Sequence, residues 1–173
     1  MSDRYSPPST EETLQPPAWS ALHLVAWIFL MVGLGLASGL LFQPDDWFDA
    51  LLKPTFQPPP ALFGPVWTAL YACMGIAVWR MQCQRDVLRT HRRRAFALFW
   101  AQLALNMLWS PLFFGAHSAL LAFIDICLLW LTLLATLRVF GRIDPLAGYL
   151  LLPYLLWVTF ALVLNGTIWL MNA

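Results

Sequence analysis

Five stretches of the chain, at about 20–42, 60–82, 95–115, 118–140 and 145–171, are apolar around most of the circumference a helix would present. A soluble helix keeps one polar face, whereas a helix that is apolar all round is solvated by lipid or buried. About 20 such residues cross the hydrocarbon core of a bilayer. Pro60 stands at the start of the second stretch, where its missing N–H costs nothing. The pattern predicts an all-α integral membrane protein, a bundle of five transmembrane helices filling 20–173. No internal repeat divides it, so an inverted-repeat transporter is not expected. Residues 1–19 are polar and proline-rich, with Glu11 and Glu12 and no apolar core. They read as a disordered tail rather than a secretory signal.

Composition supports lipid as the solvent. Hydrophobic residues make up 60% of the 173 and charged residues 11%, where soluble domains carry about 25% charged residues. The mean hydropathy is +0.66. The net charge of +1 is less informative than its placement. Arg80, Arg85, Arg89, Arg92, Arg93 and Arg94 cluster around the second connection, and Arg138 and Arg142 flank the fourth. The first connection holds Asp45, Asp46 and Asp49 against Lys53, and the third holds His117. The positive-inside rule then places the N-terminus in the cytoplasm and the C-terminus outside, for a bacterial inner-membrane protein. An arginine run beside two spans is a topology signal, so a nucleic-acid partner is not expected. Trp19, Trp47 and Trp169 fall near span ends, where indoles favour the interface. Cys73, Cys83 and Cys127 form no CxxC or Cys/His cluster, so neither a metal nor a cofactor is expected.

Residues 43–59 carry aromatics and several prolines, which lower the entropy lost on ordering. The segment reads either as a ligand lid or as a stiff interfacial loop. In the second span Phe63, Trp67, Tyr71 and Met74 form one helical stripe, suited to core packing or to a ligand wall. In the third, Gln102, Asn106 and Ser110 are one turn apart, with Trp109 and Phe113 beside them. Intramembrane amides bridge helices or meet ligands, and the residues alone leave Asn106 open between the two. Pro111 frees a carbonyl near Met107 and predicts a kink. Asp125 is the one acid deep within a span, where a charge costs roughly 3 kcal/mol. It is expected to be protonated or hydrogen-bonded to Asn106 or Trp109, as a structural polar group. In the fifth span Trp157, Ala161 and Asn165 share a face, and the small Ala161 leaves room beside Trp157. Paired carboxylates, a Ser/His/Asp set, a phosphate loop and an ion-selective filter are all missing.

These segments resemble the TspO/translocator protein family, also called tryptophan-rich sensory proteins or peripheral-type benzodiazepine receptors. The resemblance rests on Trp47-Phe48-x2-Leu51-x-Lys53-Pro54 and Pro58-Pro59, then on Phe63-Gly64-Pro65-Val66-Trp67-Thr68-x-Leu70-Tyr71. Further along come Gln102-Leu103-x-Leu105-Asn106-x2-Trp109-Ser110-Pro111, Asp125, and Pro153-Tyr154-Leu155-x-Trp157-Val158-x-Phe160-Ala161-x2-Leu164-Asn165. It runs in order from about 18 to 172. It implies a five-helix bundle, usually a homodimer, with a pocket beneath the first connection for porphyrins such as protoporphyrin IX, for sterols and for synthetic drugs. Carried over by position, the ligand-binding residues are Phe48, Pro58, Trp67, Tyr71, Asn106, Trp157 and Ala161, with Phe63, Trp109 and Phe113 alongside. A tyrosine common in the family is Phe48 here, which removes a hydroxyl. The late sterol-recognition pattern of animal members is replaced by Gly166 and Leu170, so a porphyrin is favoured over cholesterol.

Two function classes follow. The first is a membrane binding protein for flat hydrophobic ligands, acting as sensor, scavenger or carrier, in which a macrocycle stacks on indole and phenol faces. The second is light- and oxygen-dependent degradation of protoporphyrin IX, for which the resemblance makes Trp67 and Trp157 the candidate catalytic pair. Sterol or lipid transport is a third option.

Overall fold

The computed structural model describes residues 18–84 and 87–173, with residues 18–20 described through their backbone alone. The sequence-predicted tail up to residue 17, and Arg85, lie outside the described residues, as do the side chains of Trp19 and Ser20. The chain forms α1 (Ala18–Leu41), a short α2 (Asp46–Ala50), α3 (Pro60–Cys83), α4 (Arg89–Ser110), a π-helical turn (Pro111–Gly115), α5 (Ala119–Ile143) and α6 (Pro145–Met171). Five of these, counting α4 and its π turn together, are long and apolar enough to cross a membrane. Among the described residues there is no strand. The protein is a multi-pass, all-α membrane protein.

Neighbours follow from the helix contacts. α1 packs on α3, α3 on α6, α6 on α5, and α5 on α4, with a thin contact from α4 back to α1 closing the ring. Glycines set the two tightest seams. A Cβ at Gly75 would lie 2.9 Å from the Ile28 Cα, so α1 and α3 meet backbone to backbone there. A Cβ at Gly148 would lie 2.7 Å from the Gly141 Cα, which brings α5 and α6 equally close next to their connection. Such small-residue contacts let membrane helices gain dispersion energy where no hydrophobic force drives them together. Inside the ring lie Met74, Val78, Phe99, Leu133, Leu151 and Tyr154, all essentially inaccessible.

The connections depart from the expected boundaries in instructive ways. α4 begins at Arg89, about six residues before the predicted start near 95, so Arg89, Arg92, Arg93 and Arg94 ride on its first turns instead of a loop. Arginine is a good helix former, and its long stem lets the charge reach water from a helix end. Arg138 and Arg142 likewise belong to the last turns of α5, which runs to Ile143. The fourth connection is then a single residue, Asp144. Its carboxylate caps α6 by accepting from the N–H groups of Leu146 and Ala147. It also accepts from Arg80 at 2.8 and 3.1 Å and from Gln84 at 3.1 Å. Burial alone would raise the Asp144 carboxyl, but the hydrogen bonds from Arg80 and the Ala147 N–H outweigh it and hold the group below its ordinary range. Pro111 stands where α4 ends and the π turn begins. The chain widens into the π turn, where the Ala116 N–H donates to the Pro111 carbonyl.

Candidate ligand-binding site

The first connection is ordered from its own chemistry upward. Asp45 is the N-cap of α2, its carboxylate accepting from the Phe48 N–H at 3.2 Å. That bond, followed by the one to His117, lowers the Asp45 carboxyl. His117 Nε2 lies 2.8 Å from the Asp45 carboxylate, and its ring stacks on Trp47 at 4.9 Å. His117 takes a left-handed φ of 50°, uncommon outside glycine but tolerated by histidine in turns. Midway along the segment, the Asn172 side chain accepts from the Leu52 N–H at 2.9 Å and donates to the Leu52 carbonyl at 3.0 Å. The Lys53 ammonium sits over the Phe48 ring at 4.5 Å. Residues 43–59 therefore contain a capped helix that the sequence pattern did not predict, fastened across one end of the bundle.

Beneath it lie two tiers of aromatic side chains. In the upper tier Phe48 meets Phe113 and Phe114 edge-on, at 6.1 and 5.5 Å, and Phe113 stacks on Trp109 at 4.9 Å. The π turn makes this tier, because it carries Phe113 and Phe114 round to face α2. In the lower tier Phe63 meets Trp157 edge-on at 5.8 Å, and Trp67 lies 5.5 Å from Tyr71 and 6.1 Å from Tyr154. Phe160 links the lower tier to the lid, 5.5 Å from Trp157 and 6.4 Å from Phe56. Apart from the stacked Trp109–Phe113 pair, these are edge-to-face or tilted pairs of the kind aromatic quadrupoles prefer. Ala161 packs half-buried against the same core as Trp157 and Trp67. Pro58 is half-buried in the lid, beside Gln57, whose Oε1 is buried without a partner.

The polar groups inside this wall are few. The Tyr71 hydroxyl donates to Asn106 Oδ1, a buried bond between α3 and α4. The Trp109 indole N–H donates to Asn165 Oδ1 at 2.9 Å, and Asn165 Nδ2 donates to the Ala119 carbonyl at 2.9 Å. Asn106 and Trp109 are thus both engaged elsewhere. The expected hydrogen bond from either of them to Asp125 is not formed. Both Asp125 oxygens are buried without a partner. The Tyr154 hydroxyl and the Trp157 indole N–H are also buried without a partner. The expected residues from α3, α4 and α6 therefore come together, while Phe48 joins them only through the upper tier. Tyr154 was absent from the sequence-predicted set, although its place three residues before Trp157 on one helix face could have signalled it.

A family model matches residues 26–170, which is nearly the whole transmembrane bundle. The chain belongs to the TspO/MBR family. Among curated relatives it is 37% identical over 154 residues to protein CrtK of Rhodobacter capsulatus, covering 88% of this chain and 94% of the relative. It is 40% identical over 158 residues to the tryptophan-rich protein TspO of Chlorobaculum tepidum, covering 87% and 96%. It is also 36% identical over 123 residues to the human translocator protein, covering 71% and 73%. Membership in the TspO/MBR family agrees with the resemblance read from the motifs, and with the five-span architecture those motifs occupy.

Proposed function

We propose that this TspO/MBR protein binds a flat, largely apolar ligand of the porphyrin class, with protoporphyrin IX the leading case. The site is the aromatic wall beneath residues 43–59, and the protein acts as a sensor, scavenger or carrier. One observation carries this reading. Aromatic side chains from α3 and α6 surround a single Tyr71–Asn106 hydrogen bond and leave the Trp157 indole N–H buried and unsatisfied. A wall of that kind offers π faces to a macrocycle and a small number of polar groups to orient it. The rings touch one another, so a macrocycle seated there would part Phe63, Trp67 and Trp157. Ala161 is the small residue that gives Trp157 space to move.

Within this reading the ends of the bundle follow from the contacts. The arginine-rich connections share one end through Arg80 and Asp144, and the lid and His117 share the other. By the positive-inside rule the arginine end is cytoplasmic and the lid faces outward. A homodimer is assigned to α4, where Ala97, Ala101 and Ala104 are exposed on one stripe. α1 also carries a small-residue pattern at Gly35, Ser38 and Gly39, but a Cβ at Gly35 would run into the Tyr71 ring inside the protomer, which favours α4. The test of ligand class is a tryptophan-fluorescence titration of the purified protein with protoporphyrin IX and, separately, with cholesterol. Saturable quenching by the porphyrin and weaker binding of the sterol are expected. Equal or stronger sterol binding would replace the porphyrin reading with a sterol one. Illumination of the porphyrin complex in air then asks whether Trp67 and Trp157 support degradation.

A further inference from the structure

The last helix ends on a residue that does more than finish it. Asn172 is the C-cap of α6, and its Nδ2 donates to the Ile168 carbonyl at 2.8 Å, a normal use of asparagine at a helix end. The same amide reaches across 120 positions of sequence to residue 52, where it pairs with both the N–H and the carbonyl of Leu52. An amide side chain that pairs with both backbone groups of one residue imitates a neighbouring β-strand, and fixes both the position and the rotation of that peptide. Leu52 follows Leu51, the C-cap of α2, and precedes the proline-flanked turn 54–57, which closes through the Gln57 N–H and the Pro54 carbonyl. The opposite end of the lid is held at Asp45 by His117. The lid thus has two polar fastenings to separate parts of the bundle, and Leu52 is the one nearest to Phe56, Gln57 and Pro58.

We propose that Asn172 is the latch that holds residues 51–58 closed over the aromatic site, and so sets how fast a bound ligand leaves. The proposal rests on the ligand reading above for its consequence, but not for its geometry. Both hydrogen bonds lie at exposed positions, so water competes for them, and each alone is weak. Two weak bonds on one rigid helix end make a closure that forms readily and breaks without unfolding the bundle. Lids of this type govern release more than entry. Asn172 is a positioning residue: it acts through the lid backbone and touches no ligand.

The test uses the full chain in detergent or nanodiscs, with Asn172→Ala and Asn172→Asp. Asn172→Asp keeps the acceptor for the Leu52 N–H and sets a carboxylate oxygen against the Leu52 carbonyl. Amide hydrogen exchange of the ligand-free protein is read first. The latch predicts faster exchange across 51–58 in both variants, including the Gln57 amide that Asn172 does not touch, with α6 unchanged before the last turn that Asn172 caps. Faster exchange at Leu52 alone, or no change, would overturn it and leave Asn172 as a helix cap only. Dissociation of protoporphyrin IX is then followed by recovery of tryptophan fluorescence. Release is expected to quicken about three- to tenfold, with association altered much less. Unchanged release from a variant whose lid exchanges faster would show that the lid does not control exit. A wild-type protein that fails to bind the porphyrin would overturn the ligand reading, while the exchange result would still decide whether Asn172 holds the lid.

Discussion

At the scale of single residues, the chemistry turns on a few side chains that have room or lack a partner. Ala161 is one helical turn from Trp157, and Ala161→Thr adds a branched side chain to the wall proposed to receive a flat ligand. Overpacking of this kind costs about 1–3 kcal/mol, and about 1.4 kcal/mol is a tenfold change in affinity. Affinity for protoporphyrin IX should therefore fall by roughly tenfold. The unfolding temperature without ligand should move little, since the threonine hydroxyl can bond to a carbonyl one turn back, as Thr159 does with Leu155 on the same helix. Unchanged affinity in a well-folded variant would remove Ala161 from the site. The residues at i and i+4 positions, Trp67 with Tyr71 and Trp157 with Ala161, were legible because helical spacing alone puts them on one face. Asn106 was left open until the Tyr71 hydroxyl was seen to meet it. Of the two alternatives expected for Asp125, the hydrogen bond to Asn106 or Trp109 is not formed, since Tyr71 and Asn165 engage those partners. Asn172 carried no periodic signal, because its partner lies 120 residues away.

Elements were read well where apolar length decides them and less well where a helix end is set by polar contacts. The fifth span was expected and found at 145–171, since Pro145 supplies its first turn and Asp144 its cap. The early start of α4 and the late end of α5 were missed because hydropathy falls where arginines begin, although the backbone remains helical. α2 was missed because it is five residues long and depends on the Asp45 cap. The one-residue connection at Asp144 allows a test. Its carboxyl is held below the usual carboxylate range of about 3.9, so the stabilisation is present at neutral pH, above the unfolded value. It fades as pH falls through the lower folded value. Asp144→Asn should lower the unfolding temperature at pH 7, by an amount corresponding to roughly 1–3 kcal/mol for lost charge-assisted bonds. The difference from wild type should close in strongly acid buffer. A difference that does not vary with pH would mean that the charge on Asp144 contributes nothing to stability.

For the molecule as a whole, the ring of helices leaves the α4 stripe of Ala97, Ala101 and Ala104 facing outward, beside the exposed Trp100 and Leu108. If two copies meet there, Ala101→Phe should shift the mass measured by light scattering in detergent from dimer toward monomer. A dimer that persists would move the interface off α4. The central claim, that the bundle encloses a built site for a porphyrin, is tested most directly by titrating protoporphyrin IX into the protein in nanodiscs, with empty nanodiscs alongside. Tryptophan quenching should saturate at one porphyrin per chain and exceed anything attributable to partition into lipid. Quenching that rises without saturation, in step with porphyrin uptake by the empty nanodiscs, would contradict the account.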